Sequence, residues 1–452
     1  MIILDKATIV TAEKEAVGTI VIEDKFITDV LWSDSEDYGF RRDSLLNRHP
    51  DAEVWDLEGR HIMAGGIDAH VHFREPGLTH KADISTESLA AVAGGVTTVF
   101  DMPNTKPATV TAETLKEKMN LAEGRSYAKI GFHIGATNSN TAMIRSLISE
   151  GDQSLGIKAE DIPGVKVFMG SSTGNMLVDQ KDSLDELFSI KEKPVLVHCE
   201  DEDTIKANLA AAEEKYGKEI PFTEHEKIRS RKACIKSSIK ALEMAIKHGT
   251  RLVLCHISTK EEIEMARAAK ISNPEIVAET SCNYLWFCNE DYSRLGSRVK
   301  CNPAVKTSAD REALRNAIAD GVIDTIGSDH APHLLSEKNG TYTEVPSGLP
   351  SIQQSLPVLL TIAEQDGIPL TRIASVFSEK ASDLYGLNRG KIRKSYEADL
   401  VVFDNAKKFE IKTEDQYTKC GWTPYEGETL NGVIETVFID GKAVFKDGKP
   451  LV

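Results

Sequence analysis

Two histidines spaced one residue apart, in Asp68-Ala69-His70-Val71-His72, could chelate a metal ion if they lie on a strand. Side chains on a strand alternate between faces, so both imidazoles would then point the same way. Such a pair is weak evidence alone, since two polar residues on an exposed strand face look identical. Four further residues of ligand type change the balance. Lys166, His198, His256 and Asp329 sit in or at the end of four separate apolar runs, in Gly164-Val165-Lys166-Val167-Phe168, Val197-His198, Cys255-His256 and Gly327-Ser328-Asp329. Nitrogen and carboxylate donors without sulfur fit zinc best, with manganese or cobalt as replacements.

Lys166 is the most informative of the six. An unpaired ammonium in an inward-facing apolar strand is strongly disfavoured. Without other evidence it would read as a lysine that snorkels or pairs with a carboxylate. Among four histidines and an aspartate it reads as a lysine that has lost its proton and taken up carbon dioxide. The carbamate so formed is an anion able to bridge two divalent cations. Asp329 could be a helix N-cap. As a ligand with a free oxygen it could instead take a proton from water, which makes it the candidate catalytic residue. The expected cofactor is therefore a pair of Zn²⁺ ions per subunit, bridged by carboxylated Lys166 and hydroxide and held by His70, His72, His198, His256 and Asp329. His49, His61, His80, His133, His225, His248 and His330 have no partners in this pattern and read as structural or surface residues.

A set scattered over 260 residues converges only if the fold brings strand ends together. Residues 61–389 alternate apolar strand runs with amphipathic stretches. Eight strands are expected: Ile67–Phe73, Thr97–Met102, Lys129–Ile134, Gly164–Met169, Pro194–His198, Arg251–His256, Glu275–Thr280 and Ile323–Ser328. Helical patterns at Glu87–Ala93, Ala112–Ala122, Ile235–Ile246 and Lys260–Ala269 fall between them. Eightfold strand–helix alternation predicts an α/β fold, a (β/α)₈ TIM barrel, with function at the C-terminal ends of the strands. No GxGxxG follows the first strand, which argues against a doubly wound open sheet. Residues 1–60 and 390–452 differ, with short β-branched runs broken by turns. They predict a small β-sandwich domain built from both chain ends, with the barrel inserted between them.

The net charge of -16 argues against nucleic acid or anionic membrane as the main partner. It permits an anionic small molecule, provided the pocket supplies its own cations. Seven scattered cysteines with no CxxC pair indicate neither a disulfide framework nor a thiolate zinc site. Neither a signal peptide nor an apolar run of membrane-spanning length is read, so the expected location is the cytosol.

Three segments carry a family resemblance: Gly65-Gly66-Ile67-Asp68-Ala69-His70-Val71-His72-Phe73-Arg74-Glu75-Pro76-Gly77, Asp101-Met102-Pro103-Asn104-Thr105, and Ser328-Asp329-His330-Ala331-Pro332-His333. With the flanking β segments, they resemble the cyclic amidohydrolases over the whole length, and within them the dihydroorotases. The resemblance implies reversible hydrolysis of the cyclic amide of dihydroorotate to N-carbamoyl aspartate, in pyrimidine biosynthesis. Dihydroorotate carries a carboxylate that hydantoins and allantoin lack, and Arg74 could bind it bidentately. By the same resemblance Asn104 and His333 would help hold that carboxylate. Asn302, with backbone around Ser347 and Gly348, would contact the ring. The alternatives are an allantoinase or a dihydropyrimidinase or hydantoinase, and, from a different class, a non-catalytic scaffold of the same fold. A homodimer and association with other pyrimidine-pathway enzymes are the partner expectations. Two departures stand out. Many bacterial dihydroorotases with the small β domain resemble one another in using aspartate where this chain has Lys166, and the Arg-Pro of many relatives reads Arg229-Ser230 here.

Overall fold

The computed structural model describes residues 1–170 and 176–451. Its centre is a ring of parallel strands. Gly66–Val71 pairs with Val96–Asp101, which pairs with Lys129–Phe132. The chain continues through His133 to Ile134–Gly135, beside Val165–Phe168, and the ladder runs on through Val195–His198, Leu252–Leu254, Val277–Thr280 and Thr325–Ile326. The ring closes where last strand meets first. Ser328 N–H donates to the Asp68 carboxylate at 3.1 Å, and His72 N–H donates to the His330 carbonyl at 2.8 Å. This is the expected barrel.

Each expected strand has an observed counterpart, most of them shorter than the apolar pattern suggested and two reduced to half or less. Arg251–His256 reduces to Leu252–Leu254, and Ile323–Ser328 to Thr325–Ile326. In both, the backbone leaves the ladder so that a ligand-type residue can turn inward: His256 has φ +40° and Asp329 has φ +50°. The surrounding helices begin where side chains can cap them. Asp83 caps Ile84–Ala93, Thr111 caps Ala112–Ala122, Thr259 caps Lys260–Ser272 and Thr307 caps Ser308–Ala319. Ser230 caps Arg231–His248 by accepting the Ala233 N–H.

The two chain ends share one nine-stranded sheet. Leu400–Glu410 runs antiparallel to His61–Ala64, which lies parallel to the opening strand Ile2–Val10. His61–Ala64, counted by sequence with the barrel segment, is thus a strand of the terminal sheet. Alternation assigns its faces: Ile62, Ala64, Leu400 and Val402 join a cluster with Leu4, Ile20 and Ile27, while Met63, Val401 and Phe403 face the barrel core. Residues from strands at both ends of the sheet meet in the first cluster, so the sheet curls over its own apolar layer.

Lys129, at the start of the third barrel strand, ties the two parts together. Its Nζ lies 2.8 Å from Glu397, 3.0 Å from Asp399 and 2.8 Å from Asp440, all near or within the C-terminal strands. Asp399 has no exposed side-chain surface, so loss of the ammonium would strand a buried charge. Lys129→Met is expected to lower the unfolding free energy by roughly 3 kcal/mol in urea titrations, the low end for breaking a buried pair, because Lys129 keeps some solvent contact.

Candidate active site

The first barrel strand sends His70 and His72 to the same side, as its alternation requires. His70 Nδ1 lies 2.8 Å from Glu279 Oε1, and His72 Nδ1 lies 2.7 Å from Asn104 Oδ1. Each ring gives its Nδ1–H to an oxygen behind it, which leaves Nε2 with a lone pair facing forward. Those two nitrogens meet Asp329, whose Oδ1 is 3.5 Å from His70 Nε2 and 3.1 Å from His72 Nε2. These three side chains bring one ligand atom each within 4.8 Å of one another.

The second histidine pair brings one ring edge of each kind together. His198 Nδ1 and His256 Nε2 converge at 3.0 Å. His198 Nε2–H points away, to Glu200 Oε2 at 3.1 Å, and Glu200 is held in turn by Arg229. Two ligands about 2.0–2.1 Å from a tetrahedral zinc lie roughly 3.3 Å apart, so this spacing suits a shared cation. Burial holds His70 and His256 well below the ordinary histidine range, and the neutral ring is the form that donates to a metal.

Lys166 lines the same cavity as the two pairs and is fully buried. Its Nζ reaches Cys255 Sγ at 3.2 Å and sits 5.2 Å over the Phe168 ring. Among the described residues, no carboxylate comes within ion-pair distance of it. A buried ammonium without a counter-ion is a costly state, and a carbamate on the same nitrogen would suit the neighbouring cation ligands. The donor set therefore fits two divalent ions. His70, His72 and Asp329 would face one, His198 and His256 the other, with Lys166 in the same cavity wall.

Beyond the donors the pocket turns basic. Arg74 is buried, its Nε–H donating to the Pro332 carbonyl at 3.0 Å and its Nη2 lying 3.0 Å from His333 Nε2. Its backbone is left-handed, φ +67°, as are those of His256 and Asp329. Three such residues around one cavity cost roughly 1–3 kcal/mol each, a strain concentrated where side chains must be aimed. Asp101 steadies the turn by accepting the Phe73 N–H at 2.8 Å while paired with buried Lys118. Behind the wall at Gly348, Lys338 donates to the Pro346 carbonyl at 2.8 Å and the Gly348 carbonyl at 3.1 Å. Lys300 donates to Tyr342 and Val345 carbonyls. Burial pushes Lys338 down to about 7 and Lys300 to about 8. Gly348 has φ +139°, and a Cβ there would sit 2.5 Å from the Ala331 carbonyl oxygen, so only glycine lets this wall close.

One cavity of about 80 Å³ is lined by His70, His72, Arg74, Asn104, Lys166, Phe168 and His198, and by His256, Asn302, Asp329, Ala331, His333, Ser347 and Gly348. All twelve residues singled out from the sequence are in its wall. Asn302 Oδ1 is buried there with no hydrogen-bond partner among the described residues, an acceptor available to a ligand N–H. Phe168 and Ala331 were missed. So were the residues behind the wall, Glu279, Glu200 and Arg229. Glu279 had a readable signal: a carboxylate in the apolar run Val277-Ala278-Glu279 is as anomalous as a lysine. His133, His225 and His330 are satisfied elsewhere. His133 reaches the Ala69 carbonyl, His225 reaches Tyr342 and the Cys301 carbonyl, and His330 reaches Glu87.

The amidohydrolase family model matches residues 61–444. The chain belongs to the amidohydrolase family. This amidohydrolase is similar to a dihydroorotase of Methanosarcina mazei, 34% identical over 386 residues that cover 83% of this chain and 81% of that one. It is also similar to an allantoinase of Desulfitobacterium hafniense, 29% identical, covering 88% and 87% of the two chains. Among solved structures, L-hydantoinase (dihydropyrimidinase) from Arthrobacter aurescens superposes with a TM-score of 0.89 at 24% identity, over 100% of this chain and 97% of that one. That likeness speaks for the amidohydrolase's barrel and terminal sheet. No described helix is long and apolar enough to cross a membrane.

Because Glu279 fixes the His70 ring, Glu279→Ala is expected to weaken metal binding at His70 about 10–100-fold. Competition with a chromophoric chelator measures it.

Proposed function

We propose that this amidohydrolase is a dihydroorotase, opening the cyclic amide of dihydroorotate to N-carbamoyl aspartate and closing it in reverse. The observation that carries the reading is Arg74, a buried guanidinium in the wall of the same cavity as the metal donors, in a chain whose net charge is strongly negative. A neutral ring has no use for a buried cation there, whereas a carboxylate does. The M. mazei relative supports the same substrate.

Two zinc ions, bridged by carboxylated Lys166, are proposed as the cofactor; bound there, they would polarise the amide carbonyl and lower the pKa of water. The chain's own residues do the rest. Arg74 and His333 take the substrate carboxylate, and Asn104 lies beside them behind His72. Asn302 Oδ1 accepts a ring N–H, while backbone at Ser347 and Gly348 bounds the ring. Positioning of this kind is worth several kcal/mol when it places the reacting atoms in contact. Asp329 accepts a proton at its carboxylate and passes it to the ring nitrogen that leaves; in ring closure the transfer runs backwards. A non-catalytic scaffold would not retain this donor set around one cavity. The proposed setting is the cytosol and pyrimidine synthesis, as a homodimer able to associate with enzymes of the same pathway.

Steady-state assays with dihydroorotate, allantoin and dihydrouracil in parallel should give turnover with dihydroorotate and little with the others; preference for allantoin would replace this reading with an allantoinase. Arg74→Met should lower kcat/KM for dihydroorotate at least about a hundredfold, the worth of hydrogen bonds to a charged group. Asp329→Asn should retain part of the zinc, read by elemental analysis, yet lose about 10²–10⁴ in rate. Near-normal turnover in that variant removes Asp329 from proton transfer.

A further inference from the structure

We propose that Lys81 is a positioning residue that decides which nitrogen of His333 carries the proton, so that the ring presents an N–H to the corner beside Arg74. The inference rests on the reading of the site as one for a carboxylated ring, which it deepens. Lys81 is not part of the cavity wall. Its Nζ lies 3.0 Å from His333 Nδ1 and 2.9 Å from Glu337 Oε1.

An ammonium has only hydrogens to give, so His333 Nδ1 must accept. A neutral imidazole has one proton, and with Nδ1 accepting, that proton sits on Nε2. The Ser347 carbonyl, 3.2 Å from Nε2, asks for the same form. The ring stays neutral because burial, reinforced by Arg74 and Lys81, holds it far below the ordinary histidine range.

The consequence lies on the other edge of the ring. Arg74 Nη2 is 3.0 Å from His333 Nε2, and both atoms are donors. Two donors do not bond each other, and Arg74 Nε is already committed to the Pro332 carbonyl. Arg74 Nη2 is thus left without an acceptor, and a carboxylate at this corner would take its N–H together with the His333 Nε2–H, which it would share with the Ser347 carbonyl. With the proton on Nδ1 instead, Nε2 would be an acceptor, would bond Arg74 directly and would repel the substrate's anion. Glu337 makes that alternative real: its Oε2 is 3.7 Å from Nδ1 and would take an Nδ1–H if Lys81 were absent. Lys81 thus keeps the guanidinium from being quenched by its own neighbour.

The test compares zinc-loaded wild type with Lys81→Met and Lys81→Arg. Histidine is labelled with heavy nitrogen, and the His333 signals are assigned by their loss in His333→Asn. In wild type and Lys81→Arg, Nδ1 should show the shift of an unprotonated ring nitrogen; in Lys81→Met it should gain a proton. KM for dihydroorotate should rise about 10–100-fold in Lys81→Met, the loss of one hydrogen bond to a charged group, with kcat changed less than about threefold. Lys81→Arg, which keeps a donor at that position, should restore KM. An unprotonated Nδ1 in Lys81→Met, or a wild-type KM there, overturns the inference. If wild type carries the expected proton pattern but does not turn over dihydroorotate, the substrate reading falls while the role of Lys81 on His333 stands.

Discussion

Buried imidazoles with lone pairs all facing inward are the constraint on which this structure turns. A ring nitrogen can offer its lone pair to a cation only if the other nitrogen has somewhere to place its proton. Glu279 and Asn104 supply that place for His70 and His72, and Glu200 supplies it for His198. The last of these acceptors is fixed by something further out. Glu200 needs Arg229, and Arg229 lies at the entrance to the long helix that begins at Arg231. The barrel therefore holds orientations as well as atoms, and the helices outside it hold the residues that set those orientations.

The electrostatics follow the same inside-out logic. The chain carries a large negative charge overall, yet Arg74, Lys338 and Lys300 sit buried around one end of the cavity with carbonyl oxygens as their main partners. Carbonyl dipoles steady an ammonium without cancelling it, so the local field stays positive. Local field and net charge are independent quantities here. A small anion responds to the first, whereas a polyanion such as nucleic acid meets the second.

Much of this was legible in the sequence because it was written in residues that have no business in an apolar strand. Lys166 and the histidines ending three strands stood out against their neighbours, and alternation alone paired His70 with His72. The eight strands were readable because each is a continuous apolar run flanked by helices, although the runs at Arg251 and Ile323 overstated their strands. Periodicity reports burial, and the left-handed turns that aim His256 and Asp329 are buried too. Lys81, Glu337 and Arg229 were illegible for a different reason. Lys81 and Arg229 act through other side chains across gaps of 252 and 29 residues, and nothing local in a charged surface-like segment announces such a partner. The strand His61–Ala64 was placed with the barrel because its neighbour in sequence is the first barrel strand; only its pairing with residues 400–403 moves it to the terminal sheet.

That pairing has an outcome in time. The opening strand Ile2–Val10 rests against His61–Ala64, whose other edge is completed by Leu400–Glu410. During synthesis the early strands emerge with one edge open, and the segment that covers it follows more than 300 residues later. Long-range pairing of this kind is slow and leaves an exposed edge to wait. The chain can thus finish its terminal sheet only after Leu400–Glu410 has left the ribosome, and its first strands are the ones that most need shielding until then.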